Sequence, residues 1–401
     1  MAHDARAGWR IHALGVIALG ALMSITVTSP VIPLYLDHRG LPAAHVGGVI
    51  GALSLTLIVT ELMALAVSAR IGRRAAAVVG LVGSAVMFAW FPLTASLAGL
   101  YLTRLLLGAV RGILWPVVWT EVAEAGPPER RPAILAIFWV YFGVGQLLGP
   151  AVGGVLGQRL SLTAPFFAAA LISVLAAPAA AAVRPIRDGS GRALGSYRAL
   201  IRGRPGVVRM WALTACSTIA FSVYATFMPL HAAGRGRTEA EIGLIFTAGA
   251  MAFIVAQAAV GRLGTRVPEN RVLAAAFLAR GVGVAITTLL DSFPALLAVN
   301  VLSSAVGAAG PHGLSVRVAA RTPREHMVAG MGGFNAAADA GFFLGPVAGG
   351  VLAGNGVAWA FALAPAVTVA ALGVLAVDAR TVPRSVPVSG GQEPIGHHGG
   401  E

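Results

Sequence analysis

Five ionisable side chains stand in stretches of sequence that are otherwise apolar: Glu61, Arg104, Arg111, Arg280 and Asp339. A charge at the centre of a bilayer costs about 2.5–3.5 kcal/mol on insertion scales, so such residues are functional candidates by default. A carboxylate beside an arginine holds its charge, whereas one left desolvated takes up a proton. An acid moved between those two environments would carry protons, and Glu61 and Asp339 are the candidates for that role. Arg111 is placed to meet an anionic ligand. Arg280 reads as structural, half of an ion pair that lets an acid insert. At about 1.5 Å per helical residue, Glu61, Arg111, Arg280 and Asp339 lie roughly 12–18 Å from an end of their segments. That is one layer near the midplane, where two acids and two bases can compensate one another.

The elements that hold these residues follow from composition. The chain is 57% hydrophobic and 11% charged, against about 25% charged in soluble domains. A spanning helix needs about 20 apolar residues, and twelve such stretches are predicted: 11–36, 44–69, 75–95, 99–121, 132–157, 163–183, 207–231, 239–263, 272–290, 293–316, 328–352 and 357–378. The dyad alternation of a membrane β-barrel is absent. On the fourth stretch Arg104, Gly108, Arg111, Trp115 and Trp119 share one helical face, and on the fifth Phe138, Phe142 and Gln146 do so. With Tyr224, Gln257, Asn335 and Phe342, these residues make Arg111, Trp115, Trp119, Phe142 and Gln146 the candidate walls of a cavity.

The twelve stretches form two sets of six, because the chain repeats at an offset of 196 residues. Pro33-Leu34 recurs as Pro229-Leu230, Arg39-Gly40 as Arg235-Gly236, Arg70 as Arg266 and Glu129 as Glu325. The run from Gly149-Pro150 through Gly153-Gly154 to Leu156 returns as Gly345-Pro346 through Gly349-Gly350 to Leu352. The expected fold is an all-α integral membrane protein, twelve transmembrane helices in two pseudo-symmetric six-helix bundles. Its parts are a bundle over 1–183, a basic linker over 184–206, a second bundle over 207–380 and a disordered cytoplasmic tail over 381–401. A short amphipathic helix is expected at 194–202 in the linker. Internal repeats around a midplane site are the usual basis of alternating access.

The net charge of +13 invites a nucleic-acid reading, but its distribution opposes one. All 29 basic residues are arginine. With the N-terminus cytoplasmic, 22 of them fall in inner segments and four in outer loops. That bias follows the positive-inside rule and places both termini in the cytoplasm of a plasma-membrane protein. The single cysteine, Cys216, allows no internal disulfide. The first stretch reads as a retained helix rather than a signal peptide, and His397-His398 is not expected to bind metal.

Three motifs carry a resemblance. Gly145-x-x-x-Gly149-Pro150-x-x-Gly153-Gly154 is a flat stripe bent by a proline. Arg104-Leu-Leu-Leu-Gly108 lies in the fourth stretch. The turn after the second reads Leu65-x-x-x-Ala69-Arg70-Ile71-Gly72-Arg73-Arg74. With these the chain resembles the major facilitator superfamily, and within it the twelve-helix drug:proton antiporters. The resemblance implies that the glycine stripe meets the opposite bundle and limits leakage, and that Arg104 takes part in proton coupling. The turn departs from the family pattern, with Leu65 in place of glycine and Ala69 in place of aspartate. Its second copy, Gly261-x-Leu263-Gly264-Thr265-Arg266, also lacks the acid. The latch must therefore differ, and a cytoplasmic gate of Arg70, Gly72, Arg73 and Arg74 with Glu121 and Glu124 is expected in its place.

The function these features favour is export of a small, partly apolar organic molecule in exchange for protons, by a monomer. An importer of a sugar or organic acid is the alternative on the same fold, and a non-transporting sensor is a weaker one. No metal-binding histidine pair, nucleophile elbow or lysine-bearing nucleotide loop is present, so neither enzymatic chemistry nor a cofactor is expected.

Overall fold

The structure, a computed structural model, describes residues 2–186, 193–263 and 269–381. Thr381, where the disordered tail is expected to begin, still belongs to the last helix; the rest of that tail, His397-His398 and the Gly264–Arg266 part of the second turn motif lie outside the described residues. Among those described, twelve segments are long and apolar enough to cross a membrane. In chain order, spans 1 to 6 are Trp9–His38, Ala43–Ala64, Arg73–Leu93, Leu97–Ala123, Ala133–Arg159 and Ala164–Ala182. Spans 7 to 12 are Pro205–Ala233, Glu239–Ala259, Asn270–Thr287, Phe293–Arg321, Arg324–Asn355 and Val357–Thr381. The linker carries a helix at Ala193–Gly203, within a residue of the expected 194–202.

Helix boundaries follow local chemistry. The turn between spans 2 and 3 is made by Gly72 at φ +84°, a conformation open to glycine at little cost. Span 4 starts at Ser96, whose Oγ accepts the Gly99 N–H at 3.1 Å, an N-cap that satisfies one of the free donors of the first turn.

The repeat predicts matching proline kinks in the two halves, and the first pair differs. Span 1 breaks between Ala2–Thr28 and Ile32–His38, whereas span 7 runs unbroken from Pro205 to Ala233 through Pro229. Span 1 has Pro30 as well as Pro33, so two backbone donors are lost within one turn. The position matching Pro30 is Thr226, which keeps its N–H. Span 10 also breaks, at Ala308 between Phe293–Gly307 and Ala309–Arg321. Pro311 has no N–H to offer the Gly307 carbonyl one turn back.

The apolar packing is uneven between the two ends of the molecule. One cluster joins both halves, bringing Tyr35, Phe91 and Phe166 together with Tyr224, Phe227 and Phe361. All lie at or toward the end remote from the chain's N-terminus and linker. At the linker end each half keeps its own core, Leu14, Leu81, Val118 and Phe138 in the first, Met210, Leu314 and Leu375 in the second. The halves are thus welded at one end and separate at the other.

Candidate functional site

Two related seams make the weld. A methyl added at Gly154 on span 5 would stand 3.0 Å from the Gly243 Cα on span 8. One added at Gly47 on span 2 would stand 3.3 Å from the Gly350 Cα on span 11. Gly47 and Gly243 are equivalent in the repeat, as are Gly154 and Gly350. Thr247 adds a hydrogen bond across the first seam, its hydroxyl donating to the Leu147 carbonyl at 3.2 Å. Small residues let these helix backbones touch where larger ones would hold them apart.

Below the seams a cavity of about 360 Å³ opens between the halves, inside the range of small-molecule sites. The first half supplies Thr26, Ser29, Gln146 and Pro150, and the rest of the wall comes from the second half. Of the predicted wall residues, Gln146, Tyr224 and Phe342 are on it. Arg111, Trp115, Trp119, Phe142, Gln257 and Asn335 lie off it. The aromatic members have found one another instead: Trp115 packs on Phe142 at 6.0 Å, and Trp119 on Phe138 at 4.9 Å and Trp139 at 5.6 Å. Sequence reasoning missed Asn300, Ser304 and the cavity position of Arg280. The polar pair Asn300 and Ser304, one turn apart in an apolar span, was the available signal.

The midplane charges do not pair as the shared layer predicts. Arg111 is buried and donates to the Ala21 carbonyl at 2.7 Å and the Ser24 Oγ at 3.4 Å. Arg104 donates to the Ile50 carbonyl at 3.3 Å, and its Nε has no partner. Both arginines therefore tie spans of the first bundle together. Glu61 on span 2 and Asp339 on span 11 stand near enough to feel each other's charge across the bundle boundary. Among the described residues neither has a hydrogen bond or an ion pair. Tyr197 of the linker helix lies within reach of Glu61's charge and lines a cleft of about 430 Å³ with Leu62, Trp211 and Gly333.

The family model of the Major Facilitator Superfamily matches residues 14–234 and 210–398, one match to each half and together nearly the whole chain. The chain belongs to the major facilitator superfamily. Among curated relatives, the class C tetracycline resistance protein of Escherichia coli is 32% identical over 165 residues, 40% of this chain and 41% of that protein. The quinolone resistance protein NorA of Staphylococcus aureus (strain MRSA252) is 24% identical over 154 residues, 38% of this chain and 39% of that one. The alignments thus span about two fifths of the curated relatives' length. Among solved structures, a bacterial homologue of the human lysosomal transporter Spinster superposes with a TM-score of 0.73 at 15% identity, covering 94% of this chain and 96% of that one. This facilitator-superfamily chain is a multi-pass membrane protein.

Two motif expectations drawn from the superfamily take a different form here. Most of the glycine stripe does not face the opposite bundle. Gly145, Gly149 and Gly153 pack on span 1 at Leu19, Thr26 and Val27, while Gly154 and the Pro150 carbonyl reach span 8. The second copy does the same, with Gly341, Gly345 and Gly349 on span 7 and Gly350 on span 2. The expected gate is a clamp within the first bundle. Fully buried Glu121 is held by Arg10 at 2.5 Å, Arg73 at 2.9 Å and Arg184 at 3.3 Å. Arg73 also meets Glu124 at 2.9 Å, and Arg184 pairs with the same carboxylate. Arg74 donates to the Val183 carbonyl at 2.8 Å. Arg70 is exposed and outside the clamp. The second half has a clamp of the same kind, in which buried Asp378 accepts from Arg321 at 2.8 Å and Arg209 at 3.4 Å.

Proposed function

We propose that this transporter exports a small, partly apolar organic molecule across the plasma membrane, driven by protons moving the other way. The observation that carries the reading is the pair of acids. Glu61 and Asp339 belong to different bundles and lie within reach of each other's charge, with no ion pair to either among the described residues. Two like charges held close in low dielectric repel, and a proton on either one relieves the repulsion. Rocking the bundles about the glycine seams changes the distance between spans 2 and 11 at this level, so proton occupancy and conformation are linked. The cavity beneath the seams supplies the cargo site, with Gln146, Tyr224 and Phe342 on its wall. The arginine bias places the open, linker-bearing end in the cytoplasm, so the described state faces inward. The clamp around Glu121 anchors the linker's start to the first bundle. One chain holds both bundles and the cavity, which supports a monomer. The tetracycline and quinolone resistance proteins among its relatives support export and a drug-like cargo.

The test uses everted vesicles containing the full chain, with tetracycline and a fluoroquinolone as probes and a pH-sensitive dye reporting proton release. Glu61→Gln and Asp339→Asn are each expected to abolish gradient-driven accumulation and probe-induced proton flux while leaving probe binding within about twofold. If both variants pump at the wild-type rate, the proton assignment is wrong.

A further inference from the structure

We infer that the cavity selects organic anions, a carboxylate on a flat apolar body, and that Arg280 is the group that holds the carboxylate. Three arginines sit at mid-membrane depth, and they are used differently. Arg104 and Arg111 direct their donors to backbone and serine oxygens of their own bundle. Arg280 lines the cavity and, among the described residues, makes neither a hydrogen bond nor an ion pair. Its recorded partner is the face of Phe221, 5.4 Å from the guanidinium carbon to the ring centroid. A contact of that kind uses none of the five N–H donors of the fork. Arg280 is also the one charged residue among those lining the cavity.

The surroundings fit a planar acid. Tyr224, buried on span 7, and Gln146, from the opposite bundle, share the wall with Arg280, and their polar groups are also without hydrogen-bond partners among the described residues. The fork matches a carboxylate with two parallel bonds, and the phenol and amide on the same cavity wall offer further donors to a bound molecule. Phe246, Phe253 and Phe342 offer flat apolar contact to the rest of the molecule. An unpaired cation in so apolar a place is costly, and an anionic cargo supplies the missing charge when it binds. Gly307 sets where the guanidinium lies, since a methyl there would stand 2.9 Å from Arg280 Nη2. The inference rests on the transport reading for its site and is tested by binding alone.

The full chain in lipid nanodiscs is titrated at pH 7 with 1-naphthoate and its isosteres 1-naphthalenemethanol and 1-naphthylmethylammonium. The readout is the ratio of naphthoate to alcohol affinity, which does not depend on how much of a preparation is active. In the wild type this ratio is expected to be tenfold or more, with the ammonium weakest. Arg280→Gln brings the ratio to about one, and Arg280→Lys recovers part of it. Gly307→Val lowers it with the charge retained. Equal binding of the alcohol, preference for the ammonium, undetectable naphthoate binding, or a ratio unmoved by Arg280→Gln overturns the inference. If the ratio behaves as expected but proteoliposomes show no gradient-driven naphthoate flux, the export reading falls and the anion site stands.

Discussion

Tyr197 shows how one side chain reports on a pair it does not belong to. Burial, and then the nearby Glu61 carboxylate, push its phenol above the ordinary value of about 10. A group raised in this way contributes its stabilisation fully below the ordinary phenol value and loses it as pH rises through the raised one. Docking of the linker helix should therefore weaken only in strong alkali. The difference between ultraviolet titrations of the wild type and Tyr197→Phe isolates this phenol, and its midpoint is expected above 10. Glu61→Gln should move that midpoint down, because the repelling charge is gone; an unmoved midpoint would separate the two residues. Little of this was legible beforehand. Glu61 and Asp339 were visible as acids in apolar runs, but not that each comes within reach of the other's charge. Arg73 with Glu121 and Glu124 could be read from a turn and a span end. Arg10 and Arg184, which complete the clamp, are 111 and 63 residues from Glu121, and only the folded chain brings them in.

At the scale of elements, the glycines divide into two jobs that sequence spacing alone does not separate. Gly145, Gly149 and Gly153 recur every four residues and bind span 5 to its own bundle. Gly154, one residue further round the helix, touches the opposite bundle. Replacing the first kind strains one bundle in every state. Replacing Gly154 strains only the state in which the seam is shut, so the equilibrium shifts by the difference. Gly154→Val should therefore hold the welded end open. In a Cys216→Ala background, Ser29→Cys places a thiol on the cavity wall. A membrane-impermeant maleimide added from the outer side should label it faster with Gly154→Val than without. Equal labelling would mean that the seam is not the barrier. The breaks in spans 1 and 10 were legible in part, since Pro30 and Pro311 are plain in the sequence. A symmetric reading hid the first of them, because its mate Thr226 leaves span 7 whole.

Across the whole molecule the repeat extends to single hydrogen bonds. The Thr26 hydroxyl donates to the Gly145 carbonyl at 2.8 Å, and its mate Ser222 donates to the Gly341 carbonyl at 3.0 Å. Residues that pack the bundles and form the seams are shared between the halves, and the midplane charges are not. The position 196 residues from Glu61 is Gln257, and from Asp339 it is Gly143. Arg104 corresponds to Asn300, Arg111 to Gly307 and Arg280 to Ser84. Arg104 and Asn300 even keep one task, donating to the Ile50 and Ile245 carbonyls at 3.3 and 2.7 Å. The symmetric residues thus build a device that can rock, and the unmatched ones give it a direction. Exchanging the first mates tests that division. Glu61→Gln combined with Gln257→Glu conserves net charge and keeps an acid at the equivalent depth, but its seam partner is then Gly143 rather than Asp339. If coupling requires two acids facing across the boundary, the double variant stays as uncoupled as Glu61→Gln alone in the vesicle proton-flux assay. Recovery of proton-driven transport would mean that depth in the membrane is sufficient and that the pairing with Asp339 is incidental.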